Sequence, residues 1–305
     1  MKYIITGGAG FIGSTLAKRF VNEGHEVIVI DNLSTGKRER IPEGATLIEW
    51  DLTNEDIETL AAHIKGADGV FHFAALPRVP FSIEHPILSS KHNIFGTLHA
   101  LVAARDAGVK RFVYSASSSA YGNQETLPLH PDMKPNPLSP YALQKLVGEY
   151  YCSLFASLYG IETVSLRYFN VYGPGMAEEG AYAPVFAIFK RQVLSGEPLR
   201  VYGDGSQSRS FCHVDDVVEA NIKAMTSAKV GKGEILNVSG FDRVTVRNIA
   251  ERFNHPISYV EPRPGDVQHT LGDISRTKEL IDWEPRIDFD DGFEQLMKHW
   301  GMKGH

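Results

Sequence analysis

The sequence predicts an α/β fold, a doubly wound parallel sheet with a smaller C-terminal α/β domain, and three observations predict it. Short β-branched runs alternate with helical stretches through the first two-thirds of the chain. A glycine trio stands where the first strand hands over to the first helix. After Arg167 the alternation gives way to Gly- and Pro-rich segments such as Gly173-Pro174-Gly175, Gly203-Asp204-Gly205 and Pro262-Arg263-Pro264-Gly265.

The predicted strands are 2–6, 26–31, 46–50, 69–73, 111–116 and 162–168, mostly apolar along their length as strands covered on both faces should be. Between them the sequence reads as helix over 11–23, 54–64, 84–107 and 138–159. The less regular remainder is read as a second domain that caps the carboxyl ends of the strands, where ligands of open α/β sheets bind. The expected division is 1–170, with 211–238 returning to it, and 171–305.

The 305 residues, 43% of them hydrophobic, suffice for one large or two smaller domains. With 31 basic and 37 acidic residues the net charge is −6, and no basic run would track a nucleic-acid backbone. Cys152 and Cys212 have neither a Cys-x-x-Cys spacing nor a His partner, so free buried thiols are expected, without a disulfide or a metal site. The absence of a signal peptide and of a membrane-length apolar run leads to the expectation of a soluble, cytoplasmic protein, with no membrane or nucleic-acid partner.

Gly7, Gly10 and Gly13 in the stretch 6–13 are spaced Gly-x-x-Gly-x-x-Gly between strand and helix, with Phe11 and Ile12 opening that helix. Glycine allows the tight bend and the close approach of backbone to a pyrophosphate, whose charge the helix N-terminus favours. About twenty residues on, Asp31 closes the second strand where a carboxylate can hold adenosine ribose hydroxyls. A carboxylate there repels the 2′-phosphate of NADP, so the reading is a Rossmann-type site for NAD. Asn32, Ser34 and Gly36 lie on the loop that follows; Asp51 and Leu52, ending the third strand, are candidates for the adenine, or a plain turn.

Tyr141 and Lys145 stand four apart in a helical stretch, which puts a phenol and an ammonium group on one face. A solvent-facing pair would have the same spacing. With the glycine turn, Asp31, Phe73-Ala74-Ala75, Ser117 and this pair in line, the chain resembles the extended short-chain dehydrogenase/reductases, and within them the nucleotide-sugar 4-epimerases of the NAD-dependent epimerase/dehydratase family. The segments 113–145, 166–175, 203–217 and 262–267 carry the resemblance, which runs from residue 1 to about 300.

The resemblance implies NAD as cofactor, a UDP-sugar as substrate and a homodimer, with apolar helix-face residues including Leu98, Leu101, Val102, Leu154 and Leu158 meeting across a twofold axis. It makes Tyr141 the acid/base, working as a phenolate whose pKa is lowered by Lys145 and the bound nicotinamide, while Lys145 also holds the nicotinamide ribose. Ser117 donates to the sugar O4. Ser115, Tyr168 and Asn93 belong to the cofactor site, with Phe73, Ala74 and Ala75. Ser118, Ser82 and Asn170 are assigned to the substrate, Arg209 and Arg263 to the UDP phosphates and Asp266 to the ribose; arginine suits phosphate through bidentate bonding.

Several positions discriminate within the family. Related dehydratases have Thr-Asp-Glu, and related decarboxylases a glutamate, where this chain has Ser117-Ser118-Ser119. Ser119 removes both chemistries. Ser210 stands where many epimerases have aspartate, and Thr270 where strictly glucose/galactose-specific bacterial enzymes have a tyrosine. The smaller Thr270 leaves volume for a 2-N-acetyl group. Arg78, after the fourth strand, would favour a 6-carboxylate in a UDP-glucuronate 4-epimerase.

Overall fold

A computed structural model describes residues 1–178, 184–262 and 268–302. Six strands appear where the sequence places them: β1 (Lys2–Thr6), β2 (Glu26–Asp31), β3 (Thr46–Glu49), β4 (Gly69–His72), β5 (Arg111–Ser117) and β6 (Glu162–Tyr168). The edge beyond β6 is taken by Lys232–Val238, which pairs with it in parallel, Leu236 opposite Leu166.

Seven strands thus form one parallel sheet, running from that late strand through β6, β5, β4 and β1 to β2 and β3. The order reverses between β4 and β1, and there the chain ends at the carboxyl side diverge to leave a crevice.

The pleat sends alternate residues to opposite faces. On one face Ile5, Val29, Phe71, Val113 and Leu166 pack against α1 (Phe11–Asn22) and the helix Val214–Thr226. On the other, Ile4, Ile30, Val70 and Phe112 meet α2 (Ile57–Ile64) and helices before and after β5. Each such fully buried side chain contributes roughly 1.5–3 kcal/mol.

The helix read as 84–107 runs from Pro86 to Asp106 as α4 (Pro86–Ser90), a π-helical turn Lys91–Phe95 and α5 (Gly96–Asp106), preceded by a separate short helix α3 (Val79–Glu84). Pro86 separates α3 from this helix and starts it. Its ring disfavours helical backbone at His85, which has φ −130 and ψ 61.

The helix read as 138–159 is α6 (Pro140–Tyr159). Ser139 caps it by accepting the N–H of Ala142 at 3.2 Å, Pro140 occupies its first turn, and Gly160 ends it in the left-handed conformation.

The later residues form smaller sheets, including Leu199–Tyr202 with Ile257–Val260 and a three-stranded sheet centred on Ser208–Ser210. They share an aromatic core of Tyr172, Phe186, Phe189, Phe253 and Phe293. Cys152 and Cys212 are buried free thiols. No described helix is long and apolar enough to cross a membrane.

Candidate active site

A cleft of about 1540 Å³ runs across the carboxyl ends of the sheet strands. A small-ligand pocket typically measures about 300–1,000 Å³, so this one has room for two ligands side by side.

One end is made of backbone. Gly7 has φ +70, and a Cβ on it would stand 2.5 Å from the backbone nitrogen of Ala74. A Cβ on Gly13 would stand 2.5 Å from the Gly7 carbonyl oxygen. Helix α1 starts after Gly10 with no side-chain cap, which leaves its first N–H groups for an anion. The Asp31 carboxylate accepts the N–H groups of Ala9 at 3.0 Å and Leu33 at 2.8 Å, which tie it between the glycine turn and the next loop.

Asn32 donates to Asp51 at 3.1 Å and accepts from the backbone and hydroxyl of Ser34 at 3.0 and 2.7 Å. Burial works against the Asp51 carboxylate, but hydrogen bonds from Thr53 and Asn32 and the nearby His92 hold it below its ordinary pKa. Gly36, Leu52, Phe73, Ala74 and Ala75 line the same wall. Beneath it, His72 joins Thr6 at 2.7 Å and Thr97 at 3.0 Å. Burial, with Lys145 nearby, pushes this imidazole down to about 3 and keeps it neutral.

The other end is made of side chains from separate segments. Ser115, Ser117, Ser118, Tyr141, Lys145, Tyr168, Asn170, Arg78, Arg209 and Thr270 all line it. Ser119 donates its hydroxyl to the Ser117 oxygen at 2.8 Å, leaving the Ser117 proton for another acceptor. The Lys145 ammonium donates to the Ser115 carbonyl at 2.7 Å and lies 5.0 Å from the Tyr114 ring centre. Burial pushes it down to about 8, against the pull of Cys152 and Glu149.

Burial also raises the Tyr141 phenol, while a hydrogen bond with Ser117 and the charge of Arg78 draw it back. Tyr168 presents its ring and donates its hydroxyl to Asn221 at 2.9 Å. Arg209 donates to the carbonyls of Ser208 and Gln268 at 3.0 and 3.1 Å, and Thr270 stands opposite it across a parallel strand pair.

A model of the NAD dependent epimerase/dehydratase family matches residues 3–239. The chain belongs to this family. The Thermotoga maritima UDP-glucose 4-epimerase, whose structure holds UDP-glucose, superposes with a TM-score of 0.92 at 35% identity, over 99% of both chains. The Methanobrevibacter ruminantium UDP-N-acetylglucosamine 4-epimerase, in complex with UDP-N-acetylmuramic acid, gives 0.91 at 35% identity, over 98% of this chain and 97% of that one. A UDP-glucuronate 4-epimerase of Thermodesulfobacterium geofontis is 33% identical over 99% of this chain and 96% of its own.

The cleft of this epimerase/dehydratase chain fits NAD by its own features: an anion cradle that any Cβ would fill, and a fixed carboxylate at the end of β2. Two expected site residues lie behind its wall. Ser82 is buried and accepts the N–H of Tyr141 at 3.0 Å. Asn93 holds the backbone of Leu76 through bonds of 2.7 and 3.1 Å and donates to Gln144 at 2.7 Å. Each positions a wall segment.

Arg263 and Asp266 lie outside the described residues. Ser210 is buried with its hydroxyl against that of Ser239 at 2.8 Å, a local partner that serine can reach. The sequence reading passes over Arg40, Trp50, Phe81 and Met176, which also line the cleft. Trp50, whose buried indole N–H lacks an acceptor among the described residues, carried one signal, its place directly before Asp51.

Proposed function

We propose that the chain catalyses NAD-dependent 4-epimerisation of a UDP-hexose, UDP-glucose/UDP-galactose and/or their N-acetylated counterparts. The observation that carries this reading is the meeting of Tyr141, Ser117 and Lys145 in one cleft with the glycine turn and Asp31. When bound, NAD supplies the hydride acceptor and donor for C4 and is unchanged over the cycle.

Tyr141 takes the proton of the sugar 4-hydroxyl and returns it once the 4-keto sugar has presented its other face. Ser117, its oxygen already accepting from Ser119, donates to the sugar O4. Lys145 holds the nicotinamide ribose from its seat on the Ser115 carbonyl. Asn170 and Arg209, with Arg263, hold the diphosphate, and Asp266 the ribose of the nucleotide. No side chain of the Ser117–Ser119 run is a carboxylate, which disfavours elimination or decarboxylation.

In this reading residues 1–170 with 211–238 hold the cofactor and 171–305 the nucleotide-sugar. Leu154 and Leu158 are half or more exposed on α6, beside exposed Leu143 and Tyr150, and suit a helix-paired homodimer. Leu101 is fully buried and serves the core of its own chain, where Leu98 and Val102 also pack. A cytoplasmic setting accords with this chemistry.

The test is Tyr141→Phe, assayed by proton NMR with UDP-glucose and UDP-N-acetylglucosamine. Turnover is expected to fall by about 10²–10⁴-fold with NAD still bound. Unchanged turnover would overturn the assignment.

A further inference from the structure

The run that carries Ser117 passes into a short helical turn, Ser118–Tyr121, whose last side chain is fully buried. The Tyr121 ring lies over the Arg167 guanidinium, 4.4 Å from ring centre to carbon, and Glu149 holds that guanidinium to α6 through bonds of 2.8 and 2.7 Å. The Tyr121 hydroxyl donates to the Asn237 side-chain oxygen at 2.7 Å.

Asn237 stands on the edge strand Lys232–Val238, opposite Arg167, and it too is fully buried. Its amide donates to the carbonyls of Leu129 at 2.7 Å and Asp273 at 3.0 Å. Leu129 in turn donates its N–H to the Leu271 carbonyl at 2.7 Å, and its own carbonyl accepts the Asp273 N–H at 2.9 Å. Thr270, which lines the sugar end of the cleft, directly precedes this clasp. One asparagine thus joins the segment that follows Ser117 to the segment that follows Thr270.

The Asn237 side chain uses its oxygen and both amide hydrogens on partners from three separate segments. Stability alone does not call for such a group, since apolar side chains of the same shape can fill a core about as well. A fully satisfied buried network instead fixes one arrangement. What this one fixes is where two cleft-lining segments stand. Neither Tyr121 nor Asn237 lines the cleft itself.

We propose that Tyr121 and Asn237 are positioning residues that hold Ser117 and Thr270 at a fixed spacing across the sugar end, so that the hexose presents C4 in one attitude. The proposal rests on the epimerase reading, in which Ser117 meets the sugar O4. Both side chains act through the segments they join.

The experiment compares the parent holoenzyme with Tyr121→Phe, Asn237→Ala and the double variant, by proton NMR kinetics with UDP-glucose and UDP-N-acetylglucosamine. A displacement of about 1 Å caused far from the chemistry can cost about 10²-fold in rate. In Tyr121→Phe, which removes one oxygen and keeps the ring, kcat should fall about tenfold or more. KM and the calorimetric affinities for UDP and NAD should stay within a few-fold, because the two nucleotides are held elsewhere in the cleft. The double variant should be no slower than Asn237→Ala, since residues that act as one unit are not additive.

A parent-like kcat in Tyr121→Phe, with only the melting temperature lowered, would overturn the proposal by making the network a stabiliser of the fold. So would multiplied losses in the double variant, or a loss of NAD affinity that matches the loss in kcat. Should Asn237→Ala fail to fold, Tyr121→Phe decides alone. A parent that epimerises neither sugar would remove the epimerase reading and this role with it, whereas an active parent beside a full-speed Tyr121→Phe removes the role alone.

Discussion

At the β1–α1 turn, seven consecutive residues from Gly7 to Gly13 and one carboxylate from β2 make the nucleotide end of the cleft, chiefly with backbone. At the sugar end, Arg78, Ser117, Tyr141, Asn170, Arg209 and Thr270 arrive from segments spread over almost two hundred residues and act through side chains. The first is a local conformation with no room for substitution, and the second is an assembly in which each member can vary separately. One architecture can therefore keep its cofactor and change its sugar.

The helix that serves both ends tests this contrast most severely. Glu149, two turns beyond Tyr141 on α6, holds Arg167 of β6 through bonds of 2.8 and 2.7 Å, and both are fully buried. Glu149→Ala should cost about 3–5 kcal/mol of stability by leaving a buried guanidinium without its partner. Chemical denaturation of the holoprotein reads this loss, and NAD binding and turnover should fail together as α6 loosens. Loss of one without the other would show that the two ends are separable even through their shared helix.

Gly7→Ala should act on the nucleotide end alone. A Cβ at φ +70 and 2.5 Å from the Ala74 nitrogen forces backbone to move. The strain is on the order of 1–3 kcal/mol. Calorimetric titration with NAD should show weakened binding, while affinity for UDP should stay within a few-fold.

His72 lies under the same turn, bonded to Thr6. Its folded-state pKa of about 3 is below the unfolded value, so the unfolded chain binds the extra proton first. Stability should fall as pH drops from about 6.5 toward 3, by up to about 1.4 kcal/mol per unit. Thermal melts of the parent and of His72→Gln should diverge in slope across that window and nowhere above it.

Thr270→Tyr is the mildest perturbation and belongs to the sugar end. The added ring narrows the cleft opposite Arg209. Activity on N-acetylated UDP-hexoses should fall several-fold relative to UDP-glucose, with melting temperature and NAD affinity unchanged. Equal loss on both sugars would mean that volume at 270 does not select the substrate.

The sequence by itself determined the strand–helix order, the glycine turn, the carboxylate at Asp31 and the shared face of Tyr141 and Lys145. All of these follow from contiguous residues or from spacings within one element, where period, capping and backbone sterics act locally. Even the cap of α6 is legible in Ser139-Pro140, and Pro86 sets the start of the helix that periodicity reads as 84–107.

Tertiary structure decided the rest. It carried Lys232–Val238 to the sheet edge, moved Ser82 and Asn93 behind the wall as clamps, and turned Leu101 into the core. Burial and hydrogen bonding depend on distances between segments far apart in the chain, so Lys145 of α6 reaches the Ser115 carbonyl of β5 and Ser82, fifty-nine residues before Tyr141, holds its backbone N–H.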